Sequence, residues 1–100
     1  METIQITADV AQKFYPWHGG VMGMCADGAS FGGGTAALKW HATESSAGVS
    51  IGTLTASGAI DTTVNYMGGF ISFEFSGSTS PSLTAFFGQV EHPATIGKWN

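Results

Sequence analysis

The stretch Gly48-Val49-Ser50-Ile51-Gly52 matches the G-x-S-x-G pattern that carries a serine nucleophile in the α/β-hydrolases. Asp61 and His92 follow it in the order that such a catalytic triad requires. The pattern works only where a strand passes directly into a helix at the serine, so that the hydroxyl is exposed. The residues that follow, Thr53-Leu54-Thr55, favour a strand instead. We therefore expect the match to be fortuitous in a chain rich in serine and glycine, and we predict no catalytic residue and no enzyme.

A second stretch, SFGGGTAALKW from Ser30 to Trp40, combines three glycines with a lysine. A phosphate-binding loop has the pattern G-x-x-x-x-G-K-[ST] and leads into a helix, whose N-terminal amides face the phosphate. Lys39 comes five residues after the last glycine, within a run that alternates as a strand does. The glycines therefore predict a turn that begins a strand, because glycine adopts positive φ values freely.

The candidate metal ligands lack the spacing of a structural zinc site. They are His18, His41, His92, Cys25 and Asp27. Met22, Met24 and Cys25 would suit copper(I), but on a strand Cys25 points away from both methionines. Buried methionine and cysteine also pack well as ordinary core. We expect no metal and no cofactor.

Composition bounds the fold and the partners. The chain has 100 residues, of which 43% are hydrophobic and only 10% are charged, against about 25% charged in an average domain. Fifteen glycines and many serines and threonines favour a β-protein with tight turns over a helical bundle. The net charge is −4, with three lysines and no arginine. Such a chain lacks the basic patch on which nucleic-acid binding depends.

A surface with so little charge suits a protein that packs against other copies or a larger assembly. The single cysteine excludes an intrachain disulfide. The N-terminal residues METIQITADV have neither the basic nor the apolar region of a signal peptide, and no apolar run reaches the ~18 residues of a membrane span. We expect synthesis in a cytoplasm, a chain that starts near Met1, and no membrane partner.

Period-two alternation predicts about seven short strands and no regular helix, with at most a helical turn within Ala8 to Phe14 that Tyr15-Pro16 would end. Asp27-Gly28 predicts a turn. This pattern predicts one antiparallel β-sandwich domain, jelly-roll or immunoglobulin-like, over residues 1–100. The predicted strands are Thr3 to Thr7, Gly20 to Ala26, Thr35 to His41, Val49 to Leu54, Ala59 to Val64, Phe70 to Phe75 and Leu83 to Val90. In the third of these we expect Ala36, Leu38 and Trp40 to face inward and His41 to face outward.

Aromatic residues divide into a core set and a set that the strand pattern leaves outside it. We expect Phe31, Trp40, Phe73, Phe75 and Phe87 in the core. Loops, opposite faces or the tail hold a second set, which is Tyr15, Trp17, Phe70, Phe86 and Trp99. Such aromatics bind sugars or a partner protein, or they cover a second core layer. We predict partner binding by Tyr15, Trp17, Phe86, Ile96 and Trp99, and we expect the tail, residues 91–100, to dock on a neighbouring subunit.

The order of these parts resembles a known class of proteins. The opening strand TIQITAD is followed by a glycine-rich strand. After that strand come the segments FGGGTAALKW, SAGVSIGTLTASGAI and GGFISFEFSGSTSPSLTAFF, in this order. Over about residues 3 to 90 the chain resembles small β-sandwich virion proteins of tailed bacteriophages, namely head decoration (cement) proteins and related fibre or adaptor modules. The most telling parts are FGGGT-x-x-L and SG-x-T-SPS-L-x-A.

The resemblance implies a non-enzymatic structural protein of the virion, most closely a decoration protein that stabilises the phage head by bridging capsid subunits. It implies the major capsid protein or other virion proteins as partners and a homo-oligomer, with a trimer favoured. It also implies synthesis in the host cytoplasm before incorporation into the particle. Two alternatives remain open, a tail, collar or fibre adaptor of the same phage type and a carbohydrate-binding module with Trp17, Tyr66, Phe86 or Trp99 as stacking platforms.

Overall fold

The computed structural model describes residues 2–62 and 66–90, and eight β-strands organise this part of the chain. The alternation of apolar and polar residues accounts for most of them. They are β1 (Glu2–Ile6), β2 (Val10–Trp17), β3 (Met22–Ser30), β4 (Thr35–His41), β5 (Val49–Leu54), β6 (Gly58–Asp61), β7 (Gly69–Ser76) and β8 (Ser82–Gln89).

The strands form two four-stranded sheets that pack face to face. One sheet has the order β1-β8-β3-β6 and the other the order β2-β7-β4-β5, and every pairing is antiparallel. Successive strands alternate between the sheets, except that β4 and β5 share one. This order is that of a jelly roll, in which two Greek keys make a double sheet. The predicted β-sandwich is thus confirmed, with jelly-roll rather than immunoglobulin-like connectivity and with eight strands instead of about seven.

The core lies between the sheets and is built from alternate residues of the inner faces. Phe73 of β7 stacks on Phe87 of β8, with ring centroids 4.8 Å apart and planes 5° from parallel. This pair joins the two sheets at the centre of the sandwich. The other buried apolar residues include Ile6, Trp17, Met22, Met24, Ala26, Phe31, Ala36, Leu38, Ile71, Phe75, Leu83 and Ala85. The inward positions predicted in β4 and the core positions predicted in β7 are therefore confirmed, with Trp40 half-buried against the core. Met22 and Met24 are core residues as expected, whereas Cys25, on the opposite face of β3, is exposed and does not pack as core.

The prediction for residues 8–19 was wrong. A continuous strand, β2, runs from Val10 to Trp17 along β7, where the sequence predicted a helical turn followed by a loop. A register shift between Val10 and Lys13 interrupts the alternation that identifies a strand. Pro16 also argues against a strand, but β2 is the edge of its sheet, where a missing N–H group is tolerated.

The turn predicted at Asp27-Gly28 was also wrong, because β3 continues through both residues to Ser30. The register of β3 on β8 shifts between Gly28 and Ser30. A Cβ atom at Gly28 would lie 2.3 Å from the Cα of Leu83, so this glycine permits close approach of two strands.

The three glycines of FGGGT do form the predicted turn between β3 and β4. Gly32 and Gly33 have φ values of +59° and +78°, which favour glycine. The amide of Gly34 donates to the carbonyl of Phe31 at 2.8 Å, which closes the turn. Because β3 and β4 belong to different sheets, the turn carries the chain across one end of the sandwich.

The loop between β7 and β8 is held at the same end of the sandwich by two contacts. The amide of Thr79 donates to the carbonyl of Gly32 at 2.9 Å. The carboxylate of Asp9 accepts from the amides of Gly77 and Ser78 at 3.3 and 3.0 Å, and from the Ser78 hydroxyl. These hydrogen bonds hold the pKa of Asp9 below its ordinary value of 3.8, and the bond from the Ser78 hydroxyl has the largest effect.

Candidate functional site

Three of the five residues predicted to bind a partner are described by the structure, and they lie in different environments. Phe86 is 37% exposed on the outer face of the β1-β8-β3-β6 sheet. Tyr15 is half-buried on β2. Trp17 is only 6% exposed, and its indole N–H donates to the carbonyl of Tyr66 at 3.4 Å, so its side chain belongs to the core of this chain. Ile96 and Trp99 lie outside the described residues, as does the predicted contact of the tail with a neighbour.

A groove of the described part of the chain has a volume of about 350 Å³, within the ~300–1,000 Å³ of small-ligand sites. It lies where the edge strand of one sheet faces the edge strand of the other, near the start of β1 and the end of β2. We call it the Tyr15 groove. Aromatic walls and three polar side chains line it, and these residues are Tyr15, Trp17, Phe87, Glu2, His18 and Gln89.

Tyr15 is the best-defined side chain of this groove. Its ring meets the ring of Phe87 edge-on, with centroids 5.3 Å apart, and the ammonium of Lys13 lies 5.4 Å from its centroid, a cation–π distance. Burial, and to a lesser degree the negative charge of Glu2, raise the pKa of the Tyr15 phenol. The phenol therefore stays protonated at neutral pH and can both donate and accept a hydrogen bond in the groove.

A second surface covers the outer face of the β1-β8-β3-β6 sheet. The register places Thr3, Phe86, Cys25 and Ala59 side by side, one from each strand, and we call this row the Phe86 face. The row carries no charge and contains an exposed aromatic ring and an exposed thiol. The solvent face of an antiparallel sheet normally presents polar residues, so this row is unusually apolar for an open surface.

A shallow depression of about 200 Å³ adjoins the Phe86 face. Gly23 and Gly88 lie opposite each other across β3 and β8, and neither has a side chain to fill the sheet surface. Val90 forms part of the rim, and one of its methyl groups occupies the space that a Cβ atom at Gly23 would need, at 2.4 Å. The depression extends the Phe86 face with a recess that is lined mostly by apolar residues and has Asp61 among its lining.

The side chain of His41 points to the outer face of its sheet, as predicted, but it is buried there rather than exposed. Its side chain is 1% exposed, because the loop after β4 folds over it. Nδ1 lies 3.1 Å from the carbonyl of Ser46, and Nε2 lies 2.8 Å from the hydroxyl of Ser72 on β7. Since a carbonyl only accepts, Nδ1 carries a proton, and in the neutral ring Nε2 accepts from the hydroxyl of Ser72. We call these residues, with Gln12, the His41 network.

The side chains of the His41 network are in hydrogen-bond contact. The amide nitrogen of Gln12 donates to the Ser72 hydroxyl at 3.1 Å, and the ring of Phe14 packs on the His41 ring at 4.6 Å between centroids. A serine hydroxyl that donates to an oriented imidazole is the beginning of a nucleophile and base pair. Ser72 is also 1% exposed, however, so no substrate reaches its oxygen in this conformation. The network therefore anchors the loop rather than forming an open site.

Within the part of the chain that the structure describes, the motifs that could have supported catalysis or metal binding do not assemble into a site. Ser50 lies within β5, and Asp61 ends β6 in the other sheet, while His92 is outside the described residues. Nowhere in residues 2–62 and 66–90 do three His, Cys, Asp or Glu side chains come together in a way that could hold a metal ion. The same residues include no helix long and apolar enough to cross a membrane.

Comparisons of this chain with models of known protein families, with curated proteins and with solved structures found no match.

Proposed function

We propose that this chain is a non-enzymatic structural protein of a tailed-bacteriophage virion, a capsid decoration protein that bridges neighbouring capsid subunits. The observation that carries the proposal is the Phe86 face, an uncharged row that crosses all four strands of one sheet. An apolar patch rimmed by polar residues is typical of a surface that a partner covers. The partner in this proposal is the major capsid protein or another virion protein.

The fold and the sequence pattern support the same role. Jelly rolls recur in viral capsid domains, although they also occur in lectins and cupins. Because a fold hosts many functions, the proposal depends equally on the resemblance of FGGGT-x-x-L and SG-x-T-SPS-L-x-A to phage decoration proteins. The low charge fits a protein whose working surface is covered in an assembly.

The shape of the molecule suits a mechanical role. Its Cα atoms extend over 41 × 36 × 17 Å, so that the molecule is a flat plate. A plate that lies across two capsid subunits adds buried area to both without rearranging either. Weak contacts of this kind become effective when they are repeated over a symmetric shell.

The test compares two charge insertions on phage particles that lack the chain. Phe86→Glu places a carboxylate on the Phe86 face, and Thr53→Glu places the same group at an exposed position of the other sheet. We expect binding of the purified chain to weaken at least about tenfold for Phe86→Glu, because an aromatic anchor dominates such interfaces. Thr53→Glu should bind as the native chain does. If the native chain does not bind, or if both variants bind equally well, the proposal is wrong.

A tail, collar or fibre adaptor of the same phage type would use the same face at a few positions per particle. Copy number separates the two roles, since a protein that bridges the repeated subunits of a shell is needed in many copies and an adaptor in few.

The Tyr15 groove favours carbohydrate binding as a second candidate function, because an aromatic wall beside Glu2, His18 and Gln89 offers both stacking and hydrogen bonds to a sugar. Trp17 cannot be its stacking platform in this conformation, since its side chain is buried. A glycan array tests the candidate. Binding that Tyr15→Ala removes and Phe86→Ala leaves intact would support it, and the absence of any bound glycan would refute it.

A further inference from the structure

The two sheets present four edge strands, and three of them carry features that discourage pairing with another chain. In β2 these are Lys13, Pro16 and the register shift that begins at Val10. The pairing of β5 with β4 is interrupted by a register shift opposite Leu38 and Lys39. The strand β6, which is one edge of the β1-β8-β3-β6 sheet, has only four residues and ends at the exposed Asp61. Short strands, bulges, proline and charge are the devices by which proteins protect sheet edges.

The remaining edge, β1, has neither a proline nor a register shift. Its five residues pair with β8 in unbroken register, from Glu2 opposite Phe87 to Ile6 opposite Leu83. It contains no proline and no lysine, and Glu2 is its only charged residue. The sheet order places β8 on one side of β1 and no described strand on the other. Backbone groups of β1 therefore point outward along a regular edge whose one charge, on Glu2, lies at its end.

We propose that β1 pairs antiparallel with β1 of a second copy of this chain, about a two-fold axis at Ile4. This register is the one that pairs all five residues. It places Thr3 opposite Gln5 of the second copy, Ile4 opposite its own equivalent, and Glu2 opposite Ile6 of the second copy. The proposal does not depend on a role in a virion, and it would hold if the chain acted elsewhere.

The side chains of β1 suit this register. Thr3 and Gln5 are exposed on the outer face, where a hydroxyl and an amide directly opposite each other can form a hydrogen bond. Ile4 is half-buried against the core, so that the pair at the two-fold axis extends the apolar layer. The two Glu2 side chains lie at opposite ends of the pair, about 14 Å apart along the strands. That separation exceeds the Debye length of ~10 Å at 0.1 M salt, so their repulsion is screened.

The occupant of this edge is a second copy because the strand is complementary to itself. An antiparallel pair of identical strands is an isologous contact, which closes at two subunits. The product is a continuous eight-stranded sheet in which two Phe86 faces lie side by side. This arrangement is a dimer, in contrast to the trimer that the resemblance to decoration proteins implies.

The test uses charges introduced at positions 3 and 5, which the proposed register places opposite each other. The double variants Thr3→Glu/Gln5→Glu and Thr3→Lys/Gln5→Lys put like charges opposite each other twice in the dimer. The double variant Thr3→Lys/Gln5→Glu puts opposite charges there instead. Both positions are exposed, so the fold of each variant should be preserved, and circular dichroism and thermal unfolding of the variants check this.

Sedimentation equilibrium over a range of concentrations gives the result. We expect the native chain and Thr3→Lys/Gln5→Glu to dimerise, and each like-charge variant to dimerise at least about tenfold more weakly. An equimolar mixture of the two like-charge variants should recover the dimer, which excludes an effect of net charge alone. A native chain that stays monomeric or forms a trimer would overturn the proposal, and so would equal association of all variants.

Discussion

Replacing Ser72 by alanine should destabilise the protein even though it removes a single oxygen atom. The Ser72 hydroxyl lies 2.8 Å from Nε2 of His41, and both side chains are 1% exposed. In the variant Nε2 loses its partner, and water cannot replace that partner without opening the site. A buried polar atom left without a hydrogen bond costs about 1–3 kcal/mol.

That cost is a substantial part of the ~5–15 kcal/mol by which a domain of this size is stable. Urea unfolding measures it directly. With an m-value of about 1–3 kcal/mol per molar urea, the midpoint should fall by about 1 M. The melting temperature should fall by about 4–8 °C for each kcal/mol.

Two further variants isolate the cause. Gln12→Ala removes the other hydrogen-bond partner of Ser72. Because Gln12 is exposed and Ser72 keeps its hydrogen bond with His41, we expect the free energy of unfolding to change by less than about 0.5 kcal/mol. Ser72→Ala combined with His41→Leu removes both members of the buried pair, and its cost should be less than the sum of the single costs. A Ser72→Ala variant within 0.5 kcal/mol (about the limit of such measurements) of the native chain, or strictly additive single costs, would refute the hydrogen-bond network as the reason.

Three other variants follow from the fold. Asp9→Asn should make the free energy of unfolding depend less on pH in the acid range, which circular dichroism measures. The pKa of Asp9 is lowered in the folded chain, so its carboxylate contributes stability that is present above the ordinary value of 3.8 and is lost as the pH falls through the lowered pKa. An unchanged acid dependence would contradict this. Gly32→Ala should destabilise more than Gly33→Ala, because both have positive φ but only a Cβ at Gly32 meets a backbone atom, the Thr79 carbonyl oxygen at 2.3 Å; equal melting temperatures would refute the clash. Phe73→Ala should cost about 3–5 kcal/mol in urea unfolding, because it empties a fully buried aromatic site, and a loss below 1 kcal/mol (roughly that of a surface change) would contradict the packing.

The sequence was sufficient to predict the fold class because the apolar residues of several strands alternate without interruption. In β7 the residues Ile71, Phe73 and Phe75 occupy successive inner positions, and all three are buried, Phe73 and Phe75 as predicted. The glycines of the turn after β3 were interpreted correctly for a similar reason. Positive φ at Gly32 and Gly33 is a local property, and local chemistry is what a short pattern reports.

The errors arose where pairing between distant segments decides the structure. The register shift within β2 breaks the alternation, and only the pairing with β7, about sixty residues away, identifies Val10–Trp17 as a strand. Gly28 indicates a turn by composition, whereas its structural role is close approach to Leu83. Edge position and interstrand distance are properties of the assembled sheet and leave no local signal.

The candidate surfaces were predicted in part. Phe86 was expected outside the core, and it is exposed on the outer face. The composition of the Phe86 face, however, depends on the register that aligns Thr3, Cys25 and Ala59 with it, which one strand pattern cannot supply. The His41 network was not predicted, because its two principal side chains are 31 residues apart and meet only when β4 pairs with β7.

The central claim is that this chain is a decoration protein, and its copy number in an intact, purified phage particle tests that claim most directly. Quantitative mass spectrometry against the major capsid protein gives the number. We predict a number of copies comparable to that of the symmetric capsid positions, on the order of hundreds per particle, since repeated weak contacts require many sites. A particle that contains only a few copies would indicate an adaptor, and a particle that contains none would contradict the account.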